Sequence, residues 1–198
     1  SSSAASDVYK RQMSYRSNNY TAFYVAEPFN ECNLGAHATP DFIHYNRLKA
    51  WKAQDSSFPF INAHDTTYNV RDNSNWEYTL KPRLRARLRN SKNIILILSE
   101  NTKESRALRE EIKYGIGELG LPVIVVYPDL SNSQIGNGNS PGYMAKKYWD
   151  KLPSLKKLIE SVPSVHVPLS KDKITQALND NDFTIQHKIS NYCWRYHD

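Results

Sequence analysis

The stretch that most constrains the fold is a continuous apolar run, Ile94–Leu98, in which hydrophobic residues follow one another without alternation. Such a run predicts a strand that is buried on both faces, as in a parallel sheet. A polar loop follows at 99–106, and the next apolar residues recur at helical spacing, at Leu108, Ile112, Ile116 and Leu119. A strand that passes through a loop into a helix places that loop at the carboxyl edge of the sheet, where open α/β folds bind ligands.

Two adjacent acids on this helix have different predicted surroundings. Glu110 lies opposite the apolar face and is predicted to be solvated, whereas Glu111 lies on a flank where its carboxylate can turn toward the sheet edge. Arg109 lies on the other flank, and three alternatives stay open for it: it orients Glu111, it binds a phosphate, or it faces solvent. Glu111 is therefore a candidate for chemistry. The alternative is that both acids are surface glutamates near a helix start, which favours negative charge.

The alternation of strands and helices recurs along the chain. Strands are predicted at 20–26, 58–62, 121–127 and 164–169, the last at a sheet edge because of Pro168. Helices are predicted at 41–52, 76–90, 151–161 and 170–178, with an irregular loop at 128–142. This order predicts an α/β fold of the flavodoxin-like group, in which helices cover both faces of a parallel sheet.

The chain divides into three parts. Residues 1–12 have no periodicity and precede Met13, so we interpret them as a disordered leader or a cloning remnant. Residues 13–180 form the predicted domain, and the tail 181–198 stays unplaced.

The net charge of +6 is concentrated in the segment 81–89. Leucines at 80, 84 and 88 predict an amphipathic helix that docks on the sheet with its arginines in water, and Pro82 predicts a kink or an early boundary. A surface that reads nucleic acid is the alternative, but the sequence contains no recognised nucleic-acid module.

The sequence also predicts a compartment. No apolar run approaches the roughly 20 residues needed to span a bilayer, and no hydrophobic signal region is present near the N-terminus. Cys32 and Cys193 lie far apart and without metal spacing, as expected of free thiols in a reducing compartment. A cytoplasmic protein without membrane contact is predicted.

Two motifs suggest ligands but have the wrong context. Gly115-Ile116-Gly117-Glu118-Leu119-Gly120 matches the dinucleotide pattern, yet a helix precedes it and a strand follows, the reverse of the required order. These glycines are predicted to end the helix, with Gly120 in a left-handed conformation. His64-Asp65 lacks a third ligand at suitable spacing, so no metal is predicted.

Three segments together carry a resemblance to a known family: the strand ending at Ala26, the stretch 60–112 and the strand 121–127. The chain resembles the TIR-like proteins related to Toll/interleukin-receptor domains, and more closely the bacterial Thoeris protein B group, over about 20–129. The most specific parts of the resemblance are Ala63-His64-Asp65, Arg71-Asp72, the helix end 84–92, Asn101-Thr102, and Arg109 with Glu111-Ile112.

The resemblance implies a five-stranded parallel sheet and an activity on NAD, which is a substrate here; no cofactor is implied. Glu111 matches the family glutamate that interacts with the ribose next to nicotinamide while the glycosidic bond breaks. A carboxylate at that point stabilises the oxocarbenium-like charge on the sugar. Attack by water gives ADP-ribose, whereas attack by an internal nucleophile gives a cyclic isomer. In Thoeris-like systems the cyclic product activates an effector protein after phage infection.

The same resemblance implies a substrate-binding set beside the catalytic residue. Where the family usually carries an aromatic residue four positions before the glutamate, this chain has Ala107, so Trp76, Phe29 or a second subunit covers the substrate, or the pocket is larger. The turn after the first strand also departs from the family pattern. The predicted substrate-binding residues are Glu27, Phe29, His64, Asp65, Arg71, Asn101 and Arg109.

Two other functions compete with the enzyme. A non-enzymatic TIR-like module signals by contact and assembles with other copies through its TIR surfaces. A basic nucleotide- or nucleic-acid-binding domain predicts steep salt dependence of binding.

Overall fold

The elements lie in a computed structural model that describes residues 19–25, 40–63, 75–137, 140–187 and 193–194. The strands are β1 (Tyr20–Val25), β2 (Ser91–Ile97), β3 (Val123–Tyr127), β4 (Gly136–Asn137), β5 (Ser140–Pro141), β6 (Ser164–Pro168) and β7 (Cys193–Trp194). The α-helices are α1 (Phe42–Gln54), α2 (Lys81–Arg89), α3 (Arg106–Ile112), α4 (Asn132–Ile135), α5 (Tyr143–Asp150), α6 (Pro153–Leu158) and α7 (Lys171–Asn179). A π-helical turn precedes α2 at Trp76–Leu80, and another extends α3 at Lys113–Glu118.

A parallel sheet with strand order β1-β2-β3-β6-β7 forms the centre of the molecule. On the edge of β1 away from β2, Asn62 forms a parallel bridge with Thr21. With residue 62 outermost, the five predicted strands follow the order 2-1-3-4-5 of flavodoxin-like folds. The predicted α/β class with a parallel sheet is confirmed.

The predicted strand at 58–62 is wrong in extent. Its pairing with β1 consists of one bridge, in which Thr21 N donates to Ile61 O at 2.7 Å and Ala63 N donates to Thr21 O at 3.1 Å. Pro59 has no N–H to donate, which disfavours a longer ladder at this edge. The sheet therefore has four long strands and takes its fifth, β7, from the tail.

The edge position predicted for 164–169 is also wrong, because β6 lies between β3 and β7. β7 pairs with Ser164 and Val165, at the start of β6. Pro168 ends the strand beyond this pairing, so its missing N–H leaves no gap in the ladder.

The region 128–142 is not the irregular loop that its glycines and asparagines predict. Ser131 and Gln134 form a capping box at the start of α4, and β4 pairs with β5 in a short hairpin. Buried Leu130 and Ile135 anchor the segment to the core. The sequence predicts no helix or strand at residues 143–150, but these residues form α5, with Ala145, Tyr148 and Trp149 buried.

Two hydrophobic cores cover the faces of the sheet and make the fold three-layered. Alternate residues of β2 face opposite ways: Ile94 and Leu96 pack with α2, α3 and α5, whereas Ile95 and Ile97 pack with α1 and α7. The run that starts at Ile94 is therefore buried on both faces, as its continuity predicts.

The tail, which the sequence analysis leaves unplaced, contributes to the core that packs with α1 and α7. Phe183 is buried there, and its carbonyl accepts a hydrogen bond from Asn93 Nδ2 at 3.0 Å. Ile185 N donates to Lys92 O at 2.9 Å. These bonds fix the segment beside the start of β2.

The basic segment begins with the π-helical turn and becomes α-helical at Lys81, so the boundary that Pro82 predicts is confirmed. Leu84 and Leu88 are buried as expected, but the arginines do not simply face water. Arg85 binds Glu110, and Arg89 Nη1 donates to Tyr114 Oη at 3.1 Å. The reason is that α3 and its π-helical extension pack beside α2 and present these partners.

Candidate active site

The loop after β2 is tied to the first helix. Ser99 Oγ donates to a carboxylate oxygen of buried Asp41, the residue before α1, at 2.5 Å. Ser99 N donates to Thr102 Oγ1 at 2.8 Å, and Asn101 N donates to Ser99 Oγ at 3.0 Å. The carboxyl edge of β2 thus carries a hydrogen-bonded turn, with the Asn101 residue exposed.

The start of α3 is held by side-chain caps. Ser105 Oγ accepts a hydrogen bond from Leu108 N at 3.1 Å, as an N-cap serine does. Glu104 accepts from Ser154 N, at the start of α6, at 2.8 Å, and from Arg109 Nε at 2.9 Å. Burial opposes the charge of Glu104, but these hydrogen bonds outweigh it and lower the pKa of the carboxyl group. Both ends of the loop between β2 and α3 are therefore anchored.

Arg109 forms an ion pair with Glu104 on the solvent side of α3, where its side chain is 52% exposed. Of the alternatives that the sequence leaves open, this is closest to the solvent-facing one, and the guanidinium is not engaged with Glu111. A role for Arg109 in binding a substrate phosphate stays a prediction.

Glu110 is not the solvated residue that helical periodicity predicts. Its Oε1 accepts from Arg85 Nε at 2.8 Å and from Arg85 Nη2 at 2.5 Å, and its side chain is 19% exposed. The Arg85 guanidinium also lies 4.4 Å from the Tyr114 ring centroid. Because α2 runs alongside α3, the side of α3 opposite its own apolar face meets a second helix instead of water.

Glu111 occupies a contrasting environment on the same helix. Its side chain keeps partial access to solvent, yet burial among surrounding groups raises the pKa of the carboxyl group to about 8. The positive charge of Arg87, on α2, acts in the opposite direction. A carboxyl group with this pKa titrates near neutral pH, and such groups are concentrated at functional sites.

Tyr24 completes the surroundings of Glu111 from β1. Burial raises the pKa of its hydroxyl group, and the charge of Glu111 adds to that effect. The positive charge of Arg87 acts in the opposite direction. Tyr24 therefore remains a neutral phenol near neutral pH.

The sequence analysis missed Tyr24 and Arg87, although each leaves a signal. Tyr24 shares its strand face with Ala22, which follows from the two-residue period of a strand. Arg87 is three residues after Leu84 and one before Leu88, so it borders the apolar stripe of α2. A polar residue at the border of a buried stripe is a candidate for a partly buried site.

Trp76 begins the π-helical turn that precedes α2, and its ring lies beside Arg106 at the start of α3. The ring packs against the core beneath α2 and α3, and the Arg106 guanidinium lies 4.9 Å from its centroid. Arg106 Nη2 is also 3.3 Å from Glu77 Oε1. Whether Trp76 covers a substrate stays a prediction, as does the role of a second subunit.

Most of the predicted substrate-binding set lies outside the described residues. Asn101 and Arg109 are described, and both sit on the exposed rim of the α3 region. The remaining predicted residues fall in the ranges 26–39 and 64–74, which the structure does not describe: Glu27, Phe29, His64, Asp65 and Arg71.

The glycines of the dinucleotide-like motif have packing roles. Gly120 has a φ of +64° at the end of the π-helical turn, which confirms the predicted left-handed helix end. A Cβ on Gly115 would lie 2.8 Å from Ile94 Cδ1 and 3.0 Å from Leu88 Cδ2. This glycine lets the helix approach β2 and α2 closely.

Two classes of site have no support within the described ranges. No group of three or more histidine, cysteine, aspartate or glutamate side chains there can hold a metal ion. In the same ranges, no helix is both long and apolar enough to cross a membrane.

Fold and site together define a doubly wound α/β domain with an acid of raised pKa on the helix that follows its central strand. Comparison with known families identifies it further: the model for Thoeris protein ThsB, TIR-like domain, matches residues 20–133. The chain belongs to this family of Thoeris TIR-like domains. The resemblance drawn from the sequence is confirmed.

Proposed function

We propose that this domain cleaves the bond between nicotinamide and ribose in NAD, as a cytoplasmic enzyme of Thoeris antiphage defence. We further propose that the product is a cyclic ADP-ribose-type nucleotide that activates a separate effector protein. The observation that supports the proposal best is the position of Glu111, which is partly accessible and has a carboxyl pKa raised to about 8. Carboxyl groups with strongly raised pKa values are concentrated at functional sites.

The chemistry needs little beyond a well-placed negative charge. When the glycosidic bond breaks, its electron pair leaves with nicotinamide, which becomes neutral, and positive charge develops on the ribose. The Glu111 carboxylate stabilises that charge. Water then adds to the ribose with loss of a proton and gives ADP-ribose. Alternatively, a nucleophile of the same molecule adds to the ribose with loss of a proton and gives the cyclic ADP-ribose-type nucleotide.

The raised pKa fits this role when the charge of the substrate is considered. The unliganded carboxyl group is largely protonated below pH 8. The nicotinamide ring of NAD is a cation, and a cation next to a carboxyl group favours its ionised form. Substrate binding therefore generates the carboxylate at the place where positive charge will develop.

The proposal is tested by expressing the full chain in bacteria with and without phage challenge and following NAD and its products by mass spectrometry. Glu111→Gln should lower product formation by about 100-fold or more, because the substitution removes the charge but keeps the shape. Glu110→Gln is the matched control, since it changes the neighbouring acid on the same helix, and should retain activity within about threefold.

The product mass separates the two reactions, because ADP-ribose is heavier than the cyclic ADP-ribose-type nucleotide by one water. If wild type and Glu111→Gln are both folded and neither forms product with or without phage challenge, the enzyme proposal fails. The non-enzymatic interaction module then replaces it. Equal loss in Glu110→Gln and Glu111→Gln would instead indicate a general requirement for an intact α2–α3 pair.

A further inference from the structure

The turn 99–102, directly after β2, is organised around the hydroxyl group of Ser99. Ser99 Oγ donates to the Asp41 carboxylate and accepts from Asn101 N at 3.0 Å, so one hydroxyl group joins the start of α1 to the middle of the turn. Thr102 closes the turn, because its N–H donates to Ser99 O at 3.1 Å and its Oγ1 accepts from Ser99 N. Asp41, Ser99 and Thr102 are 4%, 1% and 4% exposed, so water competes little with these bonds.

Two further hydrogen bonds fasten the turn from outside. Glu100 N donates to Asp129 Oδ2 at 3.0 Å, just after β3, and Lys151 Nζ donates to Glu100 O at 2.6 Å from the end of α5. Glu100 and Asn101, the two central residues of the turn, are nevertheless exposed. A backbone that is fixed in this way holds the positions from which both side chains extend before a ligand arrives, and this lowers the entropy cost of binding.

The chemistry of these exposed side chains suits a ligand with hydroxyl groups. The Asn101 amide contains a donor and an acceptor, and a hydroxyl group can pair with either. A phosphate at the same place would meet the negative charges of Glu100 and Asp129 near the turn, which repel it. The turn lies at the carboxyl edge of the sheet, where open α/β folds bind ligands. NAD carries hydroxyl groups on both of its riboses.

We propose that Asp41 and Ser99 are positioning residues that hold the turn 99–102 in a preformed conformation, from which Asn101 binds a ribose hydroxyl group of NAD. This inference rests on the proposed function for the identity of the substrate. Asp41 and Ser99 act through the turn, and Asn101 makes the contact. The rigidity of the turn belongs to the free protein and is measurable without substrate.

The binding test is a calorimetric titration with NAD in the Glu111→Gln background, which should not consume the substrate. Adding Ser99→Ala should weaken NAD binding about tenfold, because a loosened turn must be ordered again when NAD binds. Asn101→Ala should weaken binding by a similar factor, and the two together should cost little more than either alone, since both disrupt one contact. Ser99→Thr keeps the hydroxyl group and should bind NAD within about threefold of the Glu111→Gln parent.

Ser91→Ala is the matched control for the loss of a buried serine hydroxyl group. Ser91 lies at the other end of β2, is 0% exposed, and donates through Oγ to Arg87 O at 3.0 Å. Its removal should destabilise the protein in urea about as much as Ser99→Ala, yet leave NAD affinity within about twofold of the parent. Equal losses of affinity in Ser91→Ala and Ser99→Ala overturn the inference. Asn101→Ala changes an exposed residue, so an unchanged affinity there overturns the inference even if Ser99→Ala does not fold.

Backbone ¹⁵N relaxation measures the rigidity of the turn without NAD. The order parameters of the Asn101 and Thr102 amides should be about 0.85 in wild type and fall below about 0.6 in Ser99→Ala. Asp41→Asn, which keeps an oxygen that can accept from Ser99, should give intermediate values. Order parameters that do not change in Ser99→Ala would contradict the positioning role of Asp41 and Ser99.

Analogues of NAD in which one ribose lacks its 2′- and 3′-hydroxyl groups identify the contact. Asn101→Ala should weaken binding of one analogue about as much as binding of NAD, and should leave the affinity for the other nearly unchanged. The hydroxyl groups that are missing from the second analogue are then the ones that Asn101 binds. Equal losses for both analogues would rule out a contact with ribose.

Product formation separates this inference from the proposed function. If wild type forms product and Glu111→Gln does not, but Ser99→Ala and Asn101→Ala leave NAD affinity unchanged, the inference fails and the proposed function stands. If NAD binds as expected and wild type forms no product, the proposed function fails, and the turn belongs to an NAD site without catalysis. A Glu111→Gln parent that does not bind NAD overturns the inference.

Discussion

Glu110 and Glu111 are neighbours in the chain, face the same helix α2, and lie in opposite electrostatic surroundings. Glu110 is held by two hydrogen bonds from Arg85 in an ion pair that solvent still reaches. At Glu111, burial raises the pKa of the carboxyl group to about 8, and the positive charge of Arg87 opposes that rise. The ion pair at Glu110 joins two helices, whereas burial at Glu111 disfavours the ionised carboxylate and has a cost in folding free energy.

The largest expected difference between the two acids is in the pH dependence of stability. The pKa of Glu111 is raised from 4.5 to about 8 in the folded protein, so between these values the native state binds a proton that the unfolded state has lost. The free energy of unfolding therefore falls as pH rises from about 4.5 to 8. Glu111→Gln removes this loss and should stabilise the protein by about 1–3 kcal/mol at pH 8, allowing for solvent access to the carboxyl group, and by much less at pH 5.

Glu110→Gln should act with the opposite sign, because it leaves Arg85 without its charged partner and destabilises by about 0.5–1.5 kcal/mol. Urea denaturation of wild type and both variants at pH 5 and pH 8 measures the two effects. Destabilisation by Glu111→Gln at pH 8 would show that burial does not disfavour the ionised form of the Glu111 carboxyl group.

A smaller effect distinguishes the two acid–arginine couples by double-mutant cycles. The coupling free energy between Arg85 and Glu110 should be about 0.5–1.5 kcal/mol, because the two side chains form a hydrogen-bonded ion pair. For Arg87 and Glu111 the coupling should be near zero at pH 6 and reach about 1 kcal/mol at pH 9, where the carboxylate forms. Each cycle compares the denaturation of wild type, the glutamate-to-glutamine variant, the arginine-to-methionine variant and the double variant. Coupling of Arg87 with Glu111 that is independent of pH would place a permanent ion pair there.

The smallest effect concerns Tyr24, whose hydroxyl group is neutral. Burial raises the pKa of Tyr24, so its hydroxyl group carries no charge near neutral pH. Tyr24→Phe should therefore change the pKa of Glu111 by less than about 0.5 units. An NMR titration of the glutamate side-chain carboxyl carbons in ¹³C-labelled protein measures this change, with Tyr114→Phe as the control. A shift of a full unit would mean that the hydroxyl group itself binds the carboxylate.

Features that are local in the sequence were predictable. The continuous apolar run that begins at Ile94 specifies a strand covered on both faces, and Gly120 before Leu121-Pro122 specifies the end of a helix. Glu111 is a candidate from the sequence because its position relative to Leu108 and Ile112 depends on one helical turn. Its identification also drew on the family resemblance, which supplies the chemistry that periodicity alone does not.

Features that depend on packing between elements were not predictable. The Arg85–Glu110 pair requires two helices to lie side by side, and no single-helix pattern contains that distance. The π-helical turn after α3 buries Tyr114, Gly115 and Ile116 in succession, which a constant angular step per residue does not describe. β7 contributes two residues to the sheet, too few for a recognisable strand pattern.

The tethers around the loop between β2 and α3 also bear on how the molecule moves. Asp41 fastens Ser99 to the start of α1, and Glu104 fastens the other end to α6 through Ser154. Because both ends are bonded to separate helices, we expect this segment to resist hydrogen exchange and the axis of α3 to shift little when a ligand binds. We then expect the helix that carries Glu111 to stay in place, so that under the proposed function the substrate moves to the carboxylate.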